Sequence, residues 1–361
     1  MKKLNMTLAL SAMLFLGIFY AALAEPSAFP VRGLHLNAPA PADLDLFVKF
    51  VEEALPREGV NLLIVEINYK YKFSKRPEVA DPEALSREEL QRILAACRKA
   101  HVQLVPMINC LGHQSWAKTT FGLLRAHPEL DETPGKYPQN EGIYCRSYCP
   151  LHPQLHEILF DLIDELAEVC EAKAFHVGMD EVFLLGEEDC PRCRGKNKAE
   201  LFAGEINFLR DHLAQAGRTL WIWGDRFLDG TNTGLGKWEA SQNQTAAAVG
   251  LVPKDIVICD WHYERAEPTP AFFALAGFPV VVAPWRQVGV ALGSLDLVRH
   301  MARNANPVLA GRAQGVLQTT WCNPGEFIRA YQEGTNQSVS VLEAAYCFKE
   351  LFAELRKNGG R

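Results

Sequence analysis

The sequence predicts an α/β protein whose parallel strands close into a (β/α)8 TIM barrel, built as a single domain over residues 28–361. Three observations carry this expectation. Eight short apolar runs recur along the chain, stretches of helical periodicity lie between them, and no linker or composition shift breaks the series.

The predicted strands are residues 31–37, 60–68, 102–109, 174–180, 219–225, 256–262, 279–285 and 315–321. Leu62 to Val65 and Val280 to Ala283 are continuous apolar runs, as strands covered on both faces require. Between strands the clearest helical stripe is Leu155, Ile158, Leu159, Leu162, Ile163, Leu166 and Val169, at three- and four-residue steps. Strand followed by helix, repeated, means parallel strands joined by crossovers. A final helix over residues 341–355 closes the ring. A doubly wound open sheet is the alternative architecture.

The 361 residues include 37 Lys and Arg against 43 Asp and Glu, a net charge of -6. That balance argues against a nucleic-acid partner. At the N-terminus, Lys2 and Lys3 precede an apolar run and Ala22-Leu23-Ala24, the pattern of a signal peptide over residues 1–24. Cleavage would leave no membrane attachment and a periplasmic or secreted protein; an uncleaved anchor is the alternative.

The long connections, residues 110–150 and 182–198, follow the third and fourth strands, where barrel loops build an active-site rim. The strand ends carry Glu66, Asn109, Asp180, Glu181, Trp223, Asp225, Asp260, Trp261, Tyr263, Trp285 and Trp321. Four of the seven tryptophans fall there, and indole faces stack on the C–H faces of sugars. Asp180 and Glu181 are adjacent carboxylates at the end of an apolar strand. Burial raises the cost of charging both, which favours one as a proton donor; capping of a following helix is the plainer role.

His176-Val177-Gly178-Met179-Asp180-Glu181 resembles the His-x-Gly-x-Asp-Glu motif of glycoside hydrolase family 20, the β-N-acetylhexosaminidases. Arg32-Gly33, Val105-Pro106, Gly112-His113, Trp223-Gly224-Asp225 and Trp321 extend the resemblance over nearly the whole chain after residue 28. Asp180 to Glu187 with Asp260-Trp261-His262-Tyr263 is most similar to the compact hexosaminidase D branch, without the extra N-terminal α+β domain of many relatives.

The resemblance implies exo-acting, substrate-assisted, retaining hydrolysis of terminal β-linked GlcNAc or GalNAc in a glycan, without an organic cofactor. Glu181 would be the general acid, and Asp180 would steady the substrate's acetamide. Tyr263 would hold the acetamide oxygen, and Trp223, Trp261, Trp285 and Trp321 would wall the sugar. Arg32 and Asp225 would bind substrate, and His113 would tune Glu181. Two departures stand out. Asn68-Tyr69-Lys70 replaces the family's Asp-Asp pair beyond the second strand, leaving Glu66 as the nearest carboxylate; Trp321-Cys322-Asn323 offers an amide where relatives often have Glu. The missing pair motivates a second reading, a non-catalytic carbohydrate-binding protein on the same barrel.

Of ten cysteines, Cys97, Cys170, Cys259 and Cys347 read as small core residues. Cys145, Cys149, Cys190 and Cys193 lie in the two long loops. In an exported protein they are expected to form one or two disulfides, with a structural zinc held by the four thiols as the alternative.

Overall fold

A computed structural model of the chain describes residues 29–335 and 337–359. The expected signal peptide lies outside the described residues. Eight strands run in parallel: β1 (Val31–Asn37), β2 (Leu62–Glu66), β3 (Gln103–Cys110), β4 (Ala174–Gly178), β5 (Thr219–Trp223), β6 (Val257–Asp260), β7 (Val280–Val282) and β8 (Ala313–Gln318). Each pairs with its neighbours in chain order, and β8 returns to β1, with Val31 opposite Gly315 and Arg32 opposite Val316, closing the barrel.

Two apolar layers hold this arrangement. Ile64, Val105, Met107, Trp221, Trp223, Val281 and Leu317 belong to the cluster that fills the barrel interior. A larger cluster, including Leu63, Val65, Phe175, Val177 and the buried stripe of helix Leu155–Val169, packs the strands against the surrounding helices. Every residue of β2 is buried, which is why the run has no polar alternation. The helix Arg87–Lys99 starts with a capping box in which Ser86 and Glu89 bond each other's backbone N–H. The last helix, Val339–Gly359, packs on Leu44–Glu58, Val288–Asn304 and Pro324–Glu333, so the ring closes as expected.

The strands stop sooner than the apolar runs do. Asn68, Gly178, Met179, Glu181 and Trp321 all have left-handed φ angles between +46° and +68°. That conformation cannot continue a strand. The polar residues at the ends of the runs therefore sit on turns just above the barrel rather than in it, and the parallel strands deliver all of those turns to one face. Among the described residues, no helix is long and apolar enough to cross a membrane.

Candidate active site

At the end of β4 the chain turns sharply, and Gly178 is required there. A Cβ at this position would lie 2.3 Å from Asn109 Oδ1, and φ is +67°. Met179 and Glu181 follow with φ of 68° and 48°, held in a region that L residues populate sparsely. The turn brings Asp180 and Glu181 together against His113, which follows β3. His113 Nε2 is 3.3 Å from Asp180 Oδ2 and 3.3 Å from Glu181 Oε2. Burial opposes charge on His113, but the Asp180 and Glu181 carboxylates outweigh it and hold its pKa well above the ordinary histidine value. Asp180 is buried, and its Oδ1 has no hydrogen-bond partner among the described residues.

Glu181 is fixed from one further direction. Its backbone N–H donates to Asp225 Oδ2 at 2.9 Å, and its charge also acts on the Tyr144 hydroxyl nearby. Burial, with the charge of Glu181, pushes the Tyr144 hydroxyl far above the usual tyrosine range, so it stays a donor. Asp225 Oδ2 also accepts from Arg226 Nε at 2.6 Å, and Arg226 Nη2 donates to the carbonyls of Lys237 and Trp238. Burial pushes the Asp225 carboxyl up, Arg226 opposes this, and the negative charge of Asp180 adds to the upward push.

Beneath His113 lies a second polar layer. Glu66 Oε1 accepts from Asn68 and Asn109 side-chain amides at 2.8 Å each, and Glu66 Oε2 is 3.2 Å from His35 Nε2. Burial alone would raise the Glu66 carboxyl, but the contacts with His35 and Asn68 and the charge of His113 bring it down to about 2. Glu66 thus supplies a negative charge felt by His113. The partners of His176 lie outside the carboxylate pair. Fully buried, it accepts the Gly178 N–H at 3.0 Å, and burial holds it neutral beside Trp223.

Aromatic rings make a neighbouring wall. Trp223 and Trp321 are 5.6 Å apart, Trp261 and Tyr263 stack at 5.0 Å, and Tyr263 meets Trp285 edge-on at 5.5 Å. Trp321 Nε1 donates to the Tyr263 hydroxyl oxygen at 2.6 Å, which leaves the Tyr263 proton available to another acceptor. Trp285 Nε1 donates instead to the Thr320 carbonyl.

The structure brings together Asp180, Glu181, His113 and Asp225, and joins Trp261, Tyr263, Trp285 and Trp321 in one wall; Trp223 packs against Trp321 but is fully buried in the barrel interior, so the expectation that it walls the sugar is corrected. Arg32 is not among the site residues. As the second residue of β1 it lies at the opposite end of the barrel, where its Nε and Nη1 donate to the carbonyls of Gly59 and Phe29 at 2.8 Å. The expectation that it binds substrate is corrected accordingly. The Asn323 amide oxygen is also committed elsewhere, capping helix Pro324–Glu333 through the Glu326 N–H at 3.2 Å.

Sequence reasoning missed Tyr144, which comes from the long loop after β3. It also missed the exposed rings around it. Tyr144 packs edge-on to Trp116 at 5.2 Å, Trp238 at 4.9 Å and Phe183 at 5.7 Å, an aromatic shelf beside the carboxylates. Trp116 and Trp238 are 53% and 43% exposed. Only their position in the rim loops could have flagged them.

The cysteine expectation needs two corrections. All ten cysteines are free thiols, so the expected disulfides are not formed. Cys145 lies apart from the other three, with its Sγ 3.9 Å from the Glu181 carbonyl oxygen; Glu132 takes its place beside Cys149, Cys190 and Cys193.

Adjacent carboxylates, Asp180 buried and Glu181 half-buried, sharing one histidine beside a wall of aromatic rings at the C-terminal face of a barrel, define a glycosidase-type site. The catalytic-domain model of glycosyl hydrolase family 20 matches residues 65–318, and the chain belongs to this family. No curated protein sequence matches it. Among solved structures it is similar to a Flavobacterium johnsoniae chitobiase, with TM-score 0.61, 18% identity, and 92% of this chain and 52% of that one covered. A β-N-acetylhexosaminidase gives TM-score 0.65 at 17% identity over 91% and 75% of the two chains. An exo-β-N-acetylglucosaminidase from Vibrio harveyi, in complex with N-acetylglucosamine, gives 0.61 at 15% over 92% and 59%. At these identities the likeness is one of fold. The chain spans about half the length of the chitobiase.

Proposed function

We propose that this chain is an exported exo-β-N-acetylhexosaminidase that hydrolyses terminal β-linked GlcNAc or GalNAc by a substrate-assisted, retaining mechanism. The observation that carries the reading is the division of labour in the carboxylate pair. Asp180 Oδ2 faces His113, while its Oδ1 is buried and unpartnered, so a donor brought by a ligand would meet an unused acceptor. A 2-acetamido N–H is such a donor. The names of the neighbouring structures, a chitobiase and N-acetylhexosaminidases, point to the same sugars.

In the proposed sequence Glu181 donates its proton to the glycosidic oxygen as the C1–O bond breaks. The acetamide carbonyl oxygen attacks C1, giving an oxazolinium whose positive charge Asp180 stabilises. Glu181, now a carboxylate, takes a proton from water, and that water's oxygen attacks C1 and reopens the ring with net retention. Tyr263 donates its free hydroxyl proton to the acetamide oxygen, and the tryptophan wall stacks on the sugar. The exposed Trp116 and Trp238 offer faces to the departing side of the glycan. Export rests on Lys2, Lys3 and the Ala22-Leu23-Ala24 site.

A panel of nitrophenyl glycosides differing in sugar and 2-substituent tests this reading. Hydrolysis is expected for 2-acetamido sugars and not for their 2-hydroxy counterparts, and Glu181→Gln is expected to abolish turnover while keeping sugar affinity. Equal rates on 2-hydroxy sugars would overturn the mechanism. Calorimetric sugar binding with no nitrophenol release would instead identify a carbohydrate-binding protein.

A further inference from the structure

The two long rim loops meet at a buried cluster that the proposed reaction does not use. Cys149 ends the loop after β3, Glu132 comes from the middle of that loop, and Cys190 and Cys193 belong to the loop after β4. Cys149 Sγ lies 3.4 Å from Cys193 Sγ and 3.4 Å from Cys190 Sγ. One donor atom from each of the four residues lies within 4.8 Å of the others, and all four side chains are 0% exposed.

Two features show a prepared cavity rather than a chance gathering of thiols. Glu132 Oε1 accepts from the N–H groups of Gly186 at 2.7 Å and Glu187 at 3.2 Å, which fixes the carboxylate plane; Oε2 is buried with no hydrogen-bond partner. An oxygen without partner or solvent is costly unless something positive fills the space beside it. Cys190-Pro191-Arg192-Cys193 forms a tight turn in which the Cys193 N–H donates to Cys190 Sγ at 3.4 Å and the Arg194 N–H donates to the Cys190 carbonyl at 3.2 Å. An N–H directed at sulfur stabilises a thiolate, and the turn sets both sulfurs on one side of the backbone.

We propose that Glu132, Cys149, Cys190 and Cys193 bind one zinc ion in a closed structural site that ties the loop after β3 to the loop after β4. Three thiolates and a carboxylate form a borderline-soft tetrahedral donor set suited to zinc, with no position left open for substrate or water. Zn–S bonds near 2.3 Å place sulfurs about 3.8 Å apart, so the cluster needs only a small outward shift to admit the ion. A disulfide would join two of the three sulfurs and leave the third, together with Glu132 Oε2, without a partner. Arg192, Arg194 and Lys196 in the same short segment offset the net negative charge of such a site. The clamp would hold Tyr144 and Phe183, one on each loop, at their contact beside Glu181.

The test uses the full chain, reduced, loaded with zinc chloride and dialysed against metal-free buffer, with metal content read by plasma mass spectrometry. One zinc per chain is expected, retained in Cys145→Ser and Cys97→Ser and lost in Cys149→Ser and Cys190→Ser, with faster release to a chelator in Glu132→Gln. Should the serine variants fail to fold, cobalt loading of the unsubstituted chain decides: thiolate-to-cobalt charge-transfer bands with tetrahedral d–d bands support the site, and octahedral bands alone overturn it. Zinc-free protein with alkylatable thiols after loading, a mapped disulfide among the three cysteines in the secreted protein, or undiminished zinc in Cys149→Ser would each overturn the proposal.

Discussion

The backbone N–H of Glu181 donates to Asp225 Oδ2 at 2.9 Å, and the same oxygen takes Arg226 Nε at 2.6 Å. One carboxylate thus fixes the left-handed turn at the proposed acid and neutralises a fully buried guanidinium. Asp225→Ala removes both functions and leaves Arg226 charged and unpaired, an arrangement that costs about 3–5 kcal/mol. Urea unfolding should show a loss of this size, with kcat reduced more than KM is raised. Asp225→Asn, which keeps an acceptor for Glu181, should lose less of both.

The Tyr144 ring meets His113 edge-on with centroids 5.8 Å apart, and the charge of Glu181 acts on its hydroxyl. A bond from that hydroxyl to the Glu181 carboxylate formed during turnover would contribute about 1.5–3 kcal/mol, so Tyr144→Phe should lower kcat about ten- to a hundredfold. Thermal stability should barely change, because the ring and its aromatic contacts remain. A change in KM without a change in kcat would show that the hydroxyl acts on sugar binding instead.

Stability should fall on both sides of neutrality for separate reasons. Glu66 has its folded pKa lowered to about 2 from 4.5, so its contribution is present above pH 4.5 and lost as pH falls toward 2. At roughly 1.4 kcal/mol per pKa unit, this is on the order of 3 kcal/mol. His262 is raised to about 10 from 6.5, because Asp260 and Glu239 overcome its burial; its contribution is complete below pH 6.5 and lost as pH rises through 10. Urea midpoints measured across pH should decline at both ends. Glu66→Gln should flatten the acid limb and His262→Gln the alkaline limb, each leaving the other unchanged.

The barrel was legible because burial on both strand faces writes itself into local runs such as Leu62 to Val65, and because the helix stripe from Leu155 to Val169 repeats at the helical period. The carboxylate pair was legible for a related reason: Gly178, Asp180 and Glu181 are consecutive parts of one turn. Tyr144, Trp238 and Glu132 were not, since each acts on residues far away in the chain and nothing in its own neighbourhood records the partner. Cys145 was grouped with Cys149 by spacing, whereas the fold separates them and brings Glu132 to the thiols.

Arg32 was assigned to the substrate by family resemblance, and its place at the start of β1 has a measurable consequence. Its guanidinium satisfies the Gly59 and Phe29 carbonyls below the barrel. Arg32→Ala should therefore cost about 2 kcal/mol of stability, from two charge-assisted bonds of which part is recovered by water. Its KM and kcat on any active glycoside should match those of the unsubstituted chain at a temperature where both are folded. A KM raised severalfold at equal folded fraction would return Arg32 to the substrate.

Gly178 joins the turn at the proposed acid to the polar layer below it. An alanine there pays about 1–2 kcal/mol for its left-handed backbone. Its methyl would also meet Asn109 Oδ1 at 2.3 Å and Asn109 Cα at 3.0 Å. Asn109 cannot yield freely, since its amide donates to Glu66 Oε1 at 2.8 Å and its backbone N–H is held by Asn68 Oδ1 at 2.7 Å. Displacing it would disturb the negative charge beneath His113. Gly178→Ala should therefore lower both the thermal midpoint and turnover, by more than backbone strain alone explains. Combining it with Asn109→Gly, which removes the clashing carboxamide, should restore part of the stability in a double-mutant cycle while turnover stays low, because Glu66 has lost its bond. Strictly additive stabilities would mean that the two positions are uncoupled and that the strain of the turn is the whole effect.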